Sequence, residues 1–166
     1  MIFTESTALE NQKKDTPRLS LQYEEIAEDT HTLRSLDWDR SRFDIEFGLR
    51  NGTTYNSYLV EGEQIALIDT SHEKFKDDWL SILKKHINPL SIDYLIVSHT
   101  EPDHSGLIAD LLDLNPEIEV LASKVALQFL ENQVHRPFRS KAIKTGDVLE
   151  LGSNPSSGVN HKFEFI

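Results

Sequence analysis

The chain contains no cysteine. That excludes disulfides, thiolate metal sites and a cysteine nucleophile, and it leaves His, Asp and Glu to hold any metal. Long apolar runs are missing too. No stretch approaches the roughly 20 residues that a membrane helix needs, and the polar segment from Met1 to Leu21 lacks the apolar centre of a signal peptide. The expectation is a cytoplasmic chain with no membrane insertion. Positive charge is scarce: 17 Lys and Arg face 28 Asp and Glu, a formal charge of −11. Such a surface repels phosphate backbones, which speaks against nucleic acid as a partner. What is present, 166 residues with 38% hydrophobic content, is enough to bury the core of one domain.

Residues 1–29 have mixed charge and little periodicity, and are expected to form a flexible arm ahead of a domain covering 30–166. Thr32 to Trp38 is expected to be a first strand. Phe43, Ile45, Phe47 and Leu49 alternate with polar or small residues, the pattern of a half-buried strand. Asn51-Gly52 then predicts a tight turn with positive φ, returning into a strand from Thr53 to Val60. A further strand runs from Gln64 to Ile68. From Ser71 to His86 the period becomes helical, with Ser71 as N-cap and Phe75, Trp79, Ile82 and Leu83 on one face. Asn88-Pro89 ends this helix.

Tyr94-Leu95-Ile96-Val97 is short, continuous and apolar, as buried strands are. A helix is expected from about Gly106 to Leu114, a strand at Glu119 to Leu121, and a helix from Lys124 to about Asn132 capped by Ser123. The stripe Val125, Phe129 and Leu130 is expected in the core. Ala142-Ile143, Val148 to Leu151 and Lys162 to Ile166 are expected strands, with His161 as an exposed loop residue. The apolar ending Phe163-Glu164-Phe165-Ile166 predicts a domain that continues beyond the sequence given. Strands followed by alternating strands and helices make the fold class α/β.

The chemistry concentrates after the buried strand. His99, Glu101, Asp103 and His104 place four metal-capable side chains within six positions, between a strand end and a helix start. Open αβ architectures put their sites at such strand ends. Alternate residues 99, 101 and 103 share one side of an extended chain, and His104 turns into the same space as the helix begins. The loop can therefore serve two neighbouring metal positions. Taken singly, each residue would equally suit an ordinary capping loop. Asp69, at a neighbouring strand end, is expected either to orient the loop or to cap a helix. His72, His86 and His135 are expected to be structural or solvent-facing.

His-x-Glu-x-Asp-His after a strand resembles the metal loop of the metallo-β-lactamase superfamily, usually His-x-His-x-Asp-His. The glutamate at its third position is similar to the flavodiiron proteins, or A-type flavoproteins. Ser35-Leu36-Asp37-Trp38, Gly52 to Leu59, Leu67-Ile68-Asp69-Thr70 and Ser98 to Gly106 carry the same likeness. Ser71-His72-Glu73-Lys74-Phe75 and Val134-His135-Arg136-Pro137-Phe138 resemble the cyanobacterial diflavin members.

The resemblance implies the first half of a metallo-β-lactamase-like αββα sandwich, truncated within its diiron domain. It implies two iron ions, one held by His99 and Glu101 and the other by Asp103 and His104. It also implies FMN in a flavodoxin-like domain outside the sequence given. The implied activity is reduction of dioxygen to water, or of nitric oxide to nitrous oxide, with electrons from NAD(P)H or ferredoxin passed through flavin. The implied assembly is a head-to-tail homodimer or a heterodimer of related subunits. Many members have a His near the position of Asp44, so an aspartate there alters the pocket's polarity. Chemistry independently favours iron or manganese, because replacing an imidazole with a carboxylate makes the site harder and more anionic. A zinc-dependent hydrolase of the same fold and a non-catalytic partner subunit remain open alternatives.

Overall fold

The computed structural model describes residues 18–43 and 47–166. Its strands are β1 (Leu19–Ala27), β2 (Thr30–Asp37), β3 (Arg42–Phe43), β4 (Phe47–Gly48), β5 (Thr53–Glu61), β6 (Ile65–Ile68), β7 (Tyr94–Ile96), β8 (Glu119–Ala122), β9 (Ser140–Ala142), β10 (Val148–Ser153) and β11 (Asn160–Glu164). The helices are α1 (Lys76–His86), α2 (Pro102–Ser105), α3 (Ile108–Leu114) and α4 (Lys124–Val134). Seven strands form one mixed sheet in the order β1-β2-β5-β6-β7-β8-β9, antiparallel as far as β6 and parallel from β6 to β9. The switch follows from the connections: tight turns return a strand antiparallel, whereas crossings through a helix return it parallel. No helix among the described residues is long and apolar enough to cross a membrane.

The helices cover one face of this sheet. Phe75, Trp79 and Leu83 anchor the helix α1 side, Ile108, Leu111 and Leu112 come from α3, and Leu127, Leu130 and Val134 come from α4. Trp79 is fully buried, and its indole N–H donates to Ser57 Oγ at 3.1 Å, which in turn donates to the Thr70 carbonyl at 2.8 Å. The opposite face carries a smaller cluster of Val60, Ala66, Ile96, Leu121 and Leu151, the last from the β10–β11 hairpin.

Several expectations are corrected. Leu19–Ala27, assigned to the flexible arm, is a nine-residue strand. Its Leu19, Leu21 and Tyr23 alternate and pack against the main core, and a full antiparallel ladder joins it to β2. Residues 1–17 of that arm lie outside the described residues. The alternating strand through Phe43 and Phe47 is instead a short ladder in which these two residues face each other, and Phe47 is exposed. Ile45 lies outside the described residues.

Asn51-Gly52 does not close a two-residue hairpin. Only Gly52 takes a positive φ (+74°), and β5 pairs with β2 and β6. A side chain at Gly52 would collide with the Asp37 carbonyl, so the glycine permits close backbone approach. Ser71 is not the N-cap of the helix: it is buried against Ser35, and His72 Nδ1 accepts the capping N–H of Lys74. Val125 and Phe129 are exposed, because the inward face of α4 is set by Leu127, Leu130 and Val134.

His161 is not an exposed loop residue. It lies in β11 with its Nε2 3.1 Å from Asp29 Oδ2, and both side chains are mostly buried. Ser157 Oγ donates to the same carboxylate, which ties the β10–β11 hairpin to the β1–β2 turn. The Ser157 hydrogen bond and then His161 hold the Asp29 carboxyl below its usual range. A folded-state pKa below the unfolded value adds stability above the unfolded pKa, and this is lost as pH falls through the folded one. Asp29→Asn is therefore expected to flatten the acid limb of the stability curve below about pH 4. Urea midpoints between neutral and acid pH check this, and parallel curves for the two proteins would refute it.

Candidate metal centre

Strand β7 is buried between β6 and β8, and the chain leaves it through Val97 and Ser98 into the donor loop. Helix formation begins within that loop, earlier than the expected Gly106. Glu101 is the N-cap, and its carbonyl accepts the N–H groups of His104 and Ser105, both at 2.9 Å. Pro102 occupies the first helical position, where its missing N–H costs nothing. Asp103 and His104 thus lie inside α2, and His99 and Glu101 precede it.

The four side chains fall into two pairs. His99 Nε2 is 3.3 Å from Glu101 Oε1, both well exposed. His104 Nε2 is 3.6 Å from Asp103 Oδ2, in a more sheltered position. The two imidazole rings meet edge to face at 5.5 Å between centroids. Among the described residues, no three His, Asp or Glu side chains converge on a single point. The loop brings its donors together two by two and does not close a cage.

Asp69 adopts an unusual backbone conformation, with φ +56°. Its buried carboxylate accepts the Ser98 N–H at 2.8 Å and the Ser98 hydroxyl, and lies 2.9 Å from His104 Nδ1. A carboxylate on Nδ1 favours the tautomer with its proton there, in which Nε2, the nitrogen facing Asp103, carries the lone pair. The backbone of His104 is held as well. Its carbonyl accepts from Thr70 N–H at 2.7 Å and from Thr70 Oγ at 2.8 Å. Of the two readings of Asp69, these contacts are those of a loop-orienting group.

A cleft of about 530 Å³ borders the sheltered pair, lined by Thr53, Thr54, Tyr55, Asn56, Asp103 and His104 among others. Burial raises the Tyr55 phenol above its ordinary value. His72 stacks on Tyr55 at 5.9 Å, and burial followed by the charge of Lys74 lowers its pKa, so the ring is neutral near pH 7. His86 stacks on Tyr23 at 3.7 Å. Asp44 lies outside the described residues.

Thr70, Ser98, Tyr55 and Asn56 enter the sequence reading only within motifs of the family likeness, with no role of their own. Thr70 and Ser98 adjoin Asp69 and His99, a signal of proximity only. Their partners lie 34 and 29 residues away in the chain, and strand order alone reveals those.

Two imidazoles and two carboxylates with no thiolate form a donor set suited to iron or manganese. Pair separations of 3.3 and 3.6 Å are close to what two ligands of one cation adopt when each bond is about 2.1 Å. The donor chemistry therefore fits, with one imidazole and one carboxylate in each pair.

The model of the ODP family beta lactamase matches residues 53–156, more than half of the chain. Diflavin flavoprotein A 1 of Synechocystis is 59% identical over 149 residues, which are 90% of this chain and 25% of that protein. The metal-soaked Flv1 flavodiiron core from Synechocystis superposes with a TM-score of 0.76 at 36% identity, covering 82% of this chain and 34% of that one. The rubredoxin oxygen:oxidoreductase of Desulfovibrio gigas gives 0.73 at 31% identity, covering 79% and 33%. The chain spans about a quarter of the length of the curated relatives it matches. The expected α/β fold and the likeness to cyanobacterial diflavin flavoproteins are both borne out, and with the donor loop inside the matched span, the chain belongs to the ODP family of beta-lactamase domains.

Proposed function

We propose that the chain is part of a flavodiiron oxidoreductase that reduces dioxygen to water, or nitric oxide to nitrous oxide. In this reading His99 and Glu101 hold one iron, and Asp103 and His104 hold the other. The observation that carries it is the Asp69–His104 contact at 2.9 Å, which presents Nε2 beside Asp103 in the way a metal-binding histidine is presented. Iron bound there would supply one-electron transfers to a small diatomic.

The chain's own residues do the rest. Asp69 holds the His104 proton on Nδ1. Thr70 fixes the helix backbone. Glu101 and Asp103 supply negative charge that favours a ferric over a ferrous ion. The cleft beside Asp103 and His104 is large enough for a diatomic and is walled by the largely buried Tyr55 ring. Electrons would come from NAD(P)H or ferredoxin through FMN in a flavodoxin-like domain elsewhere in the protein. A head-to-tail homodimer, or a heterodimer of related subunits, would bring that flavin near the partner's loop.

Metal analysis of the protein isolated without oxygen, combined with oxygen- and nitric oxide-consumption assays, tests this. About two irons per chain is the expected content, with both iron and diatomic turnover lost in Glu101→Ala. Zinc alone, accompanied by ester or thioester hydrolysis, would overturn the proposal.

A further inference from the structure

The segment from Asp69 to Lys74 touches the donor loop at one end and, at the other, an ion pair whose carboxylate is buried. At the site end, Asp69 meets the His104 ring at 2.9 Å, and Thr70 bonds the His104 carbonyl from both its N–H and its hydroxyl. Thr70 Oγ also accepts the Leu107 N–H at 3.2 Å, extending the grip to the residue before α3. At the far end, Lys74 forms an ion pair with Asp37, whose side chain is only 5% exposed. Tyr55 Oη donates to the same carboxylate at 3.2 Å, and the Lys74 ammonium lies 5.2 Å from the Tyr55 ring centre. Between the two ends, Ser71 Oγ donates to Ser35 Oγ at 2.7 Å, both side chains fully buried.

We propose that the Asp37–Lys74 ion pair is a positioning element for His104. It ties segment 69–74 to β2, and that segment in turn sets the ring and backbone of His104. The inference rests on the reading above only in taking His104 to bind a cation.

The physical reason lies in the burial of Asp37. A carboxylate taken out of water is retained only with a close partner, and removing that partner leaves an uncompensated charge. Without Lys74, Tyr55 alone among the described residues donates to the Asp37 carboxylate, which must draw in water or move outward. Either response loosens the strand-side anchor of a six-residue segment. The other end of that segment has no slack, because Thr70 and Asp69 bond the same residue at three points. The Ser71–Ser35 bond to the same strand lies between the two ends, so a loss at Asp37 reaches His104 in the measure that this bond yields. Tyr55 adds a second route: it lines the cleft beside Asp103 and His104, and its hydroxyl is oriented by the same carboxylate.

Two readouts test the proposal: Mn(II) titration, followed by the resonance of the free ion, and the NMR signal of the His104 Nδ1–H in metal-free protein. Lys74→Met is expected to raise the Mn(II) Kd by about 10-fold and to broaden the Nδ1–H signal through faster exchange. Asp37→Asn is expected to act in the same direction. The double variant Asp37→Asn/Lys74→Met is expected to lose no more than either single variant, since both break one tie.

A folded Lys74→Met with unchanged Kd and an intact Nδ1–H signal overturns the proposal, and so do additive losses in the double variant. If Lys74→Met does not fold, Asp37→Asn, which keeps the side chain's shape and removes its charge from the pair, is judged by the same two readouts. A wild-type protein that binds no Mn(II), while its Nδ1–H signal still responds to Lys74→Met, defeats the metal reading and leaves the positioning role standing.

Discussion

Asp69→Ala is expected to cost on the order of 3 kcal/mol of stability, from hydrogen bonds that lose their acceptor, and to weaken cation binding at His104 by about 10- to 100-fold. The first effect has two sources. The Ser98 N–H, the Ser98 hydroxyl and the His104 Nδ1–H all lose one acceptor in a sheltered place. Alanine must also hold the positive φ that aspartate adopts there, at a cost of about 1 kcal/mol. The second effect is separable from the first by Asp69→Asn. Asparagine tolerates the left-handed conformation and still offers an oxygen, so most of the stability is expected to return. Its amide can also donate to His104 Nδ1, which moves the ring proton to Nε2, the nitrogen beside Asp103. Asp69→Asn is thus expected to fold well and bind cations poorly. Urea unfolding and Mn(II) titration of both variants check this. Wild-type affinity in a folded Asp69→Asn would show that the carboxylate does not control the imidazole.

The elements around the site were legible to the extent that local pattern decides them. β7 is a buried strand because it lies between two neighbours in a parallel array, and a continuous apolar run is what that environment selects. The cluster of His99, Glu101, Asp103 and His104 was legible because hard donors at alternate positions after such a strand are chemically conspicuous. The N-terminal strand was missed because Leu19, Leu21 and Tyr23 alternate within a segment whose outward residues are charged, so its composition resembles an arm. Only the ladder with β2 distinguishes the two. The helical stripe was misplaced on α4 because Val125 and Phe129 are spaced four apart, as a core pair would be. The face that meets the sheet is fixed by where α4 leaves β8, a tertiary fact. The tie from Asp37 to Lys74 bridges 37 residues, and nothing in the local spacing of either residue announces it.

Gly106→Ala is expected to destabilise the protein by about 2 kcal/mol, through overpacking against backbone that has nowhere to go, and to pull His104 away from Asp69. Two opposed effects meet at this position. Gly106 has ordinary helical angles, φ −61° and ψ −23°, so alanine gains roughly 0.5–1 kcal/mol in backbone entropy. Against that, a Cβ would lie 2.5 Å from the Pro102 carbonyl oxygen, 2.8 Å from the Ser71 carbonyl oxygen and 3.0 Å from the Glu73 nitrogen. All three are backbone atoms, which yield far less readily than the end of a side chain. The steric cost therefore wins, and the available relief is for α2 to move away from the segment carrying Ser71 and Glu73. That movement stretches the two bonds from Thr70 to the His104 carbonyl and the contact from Asp69 to its ring. Stability and cation affinity are expected to fall together, unlike in Asp69→Asn. Gly48→Ala is the matched control, since a Cβ there meets nothing within 4 Å and its stability is expected to change by less than about 0.5 kcal/mol. If Gly106→Ala unfolds at the same urea concentration as Gly48→Ala and binds Mn(II) as the wild type does, the seating of α2 on residues 71–73 is not what holds His104 in place.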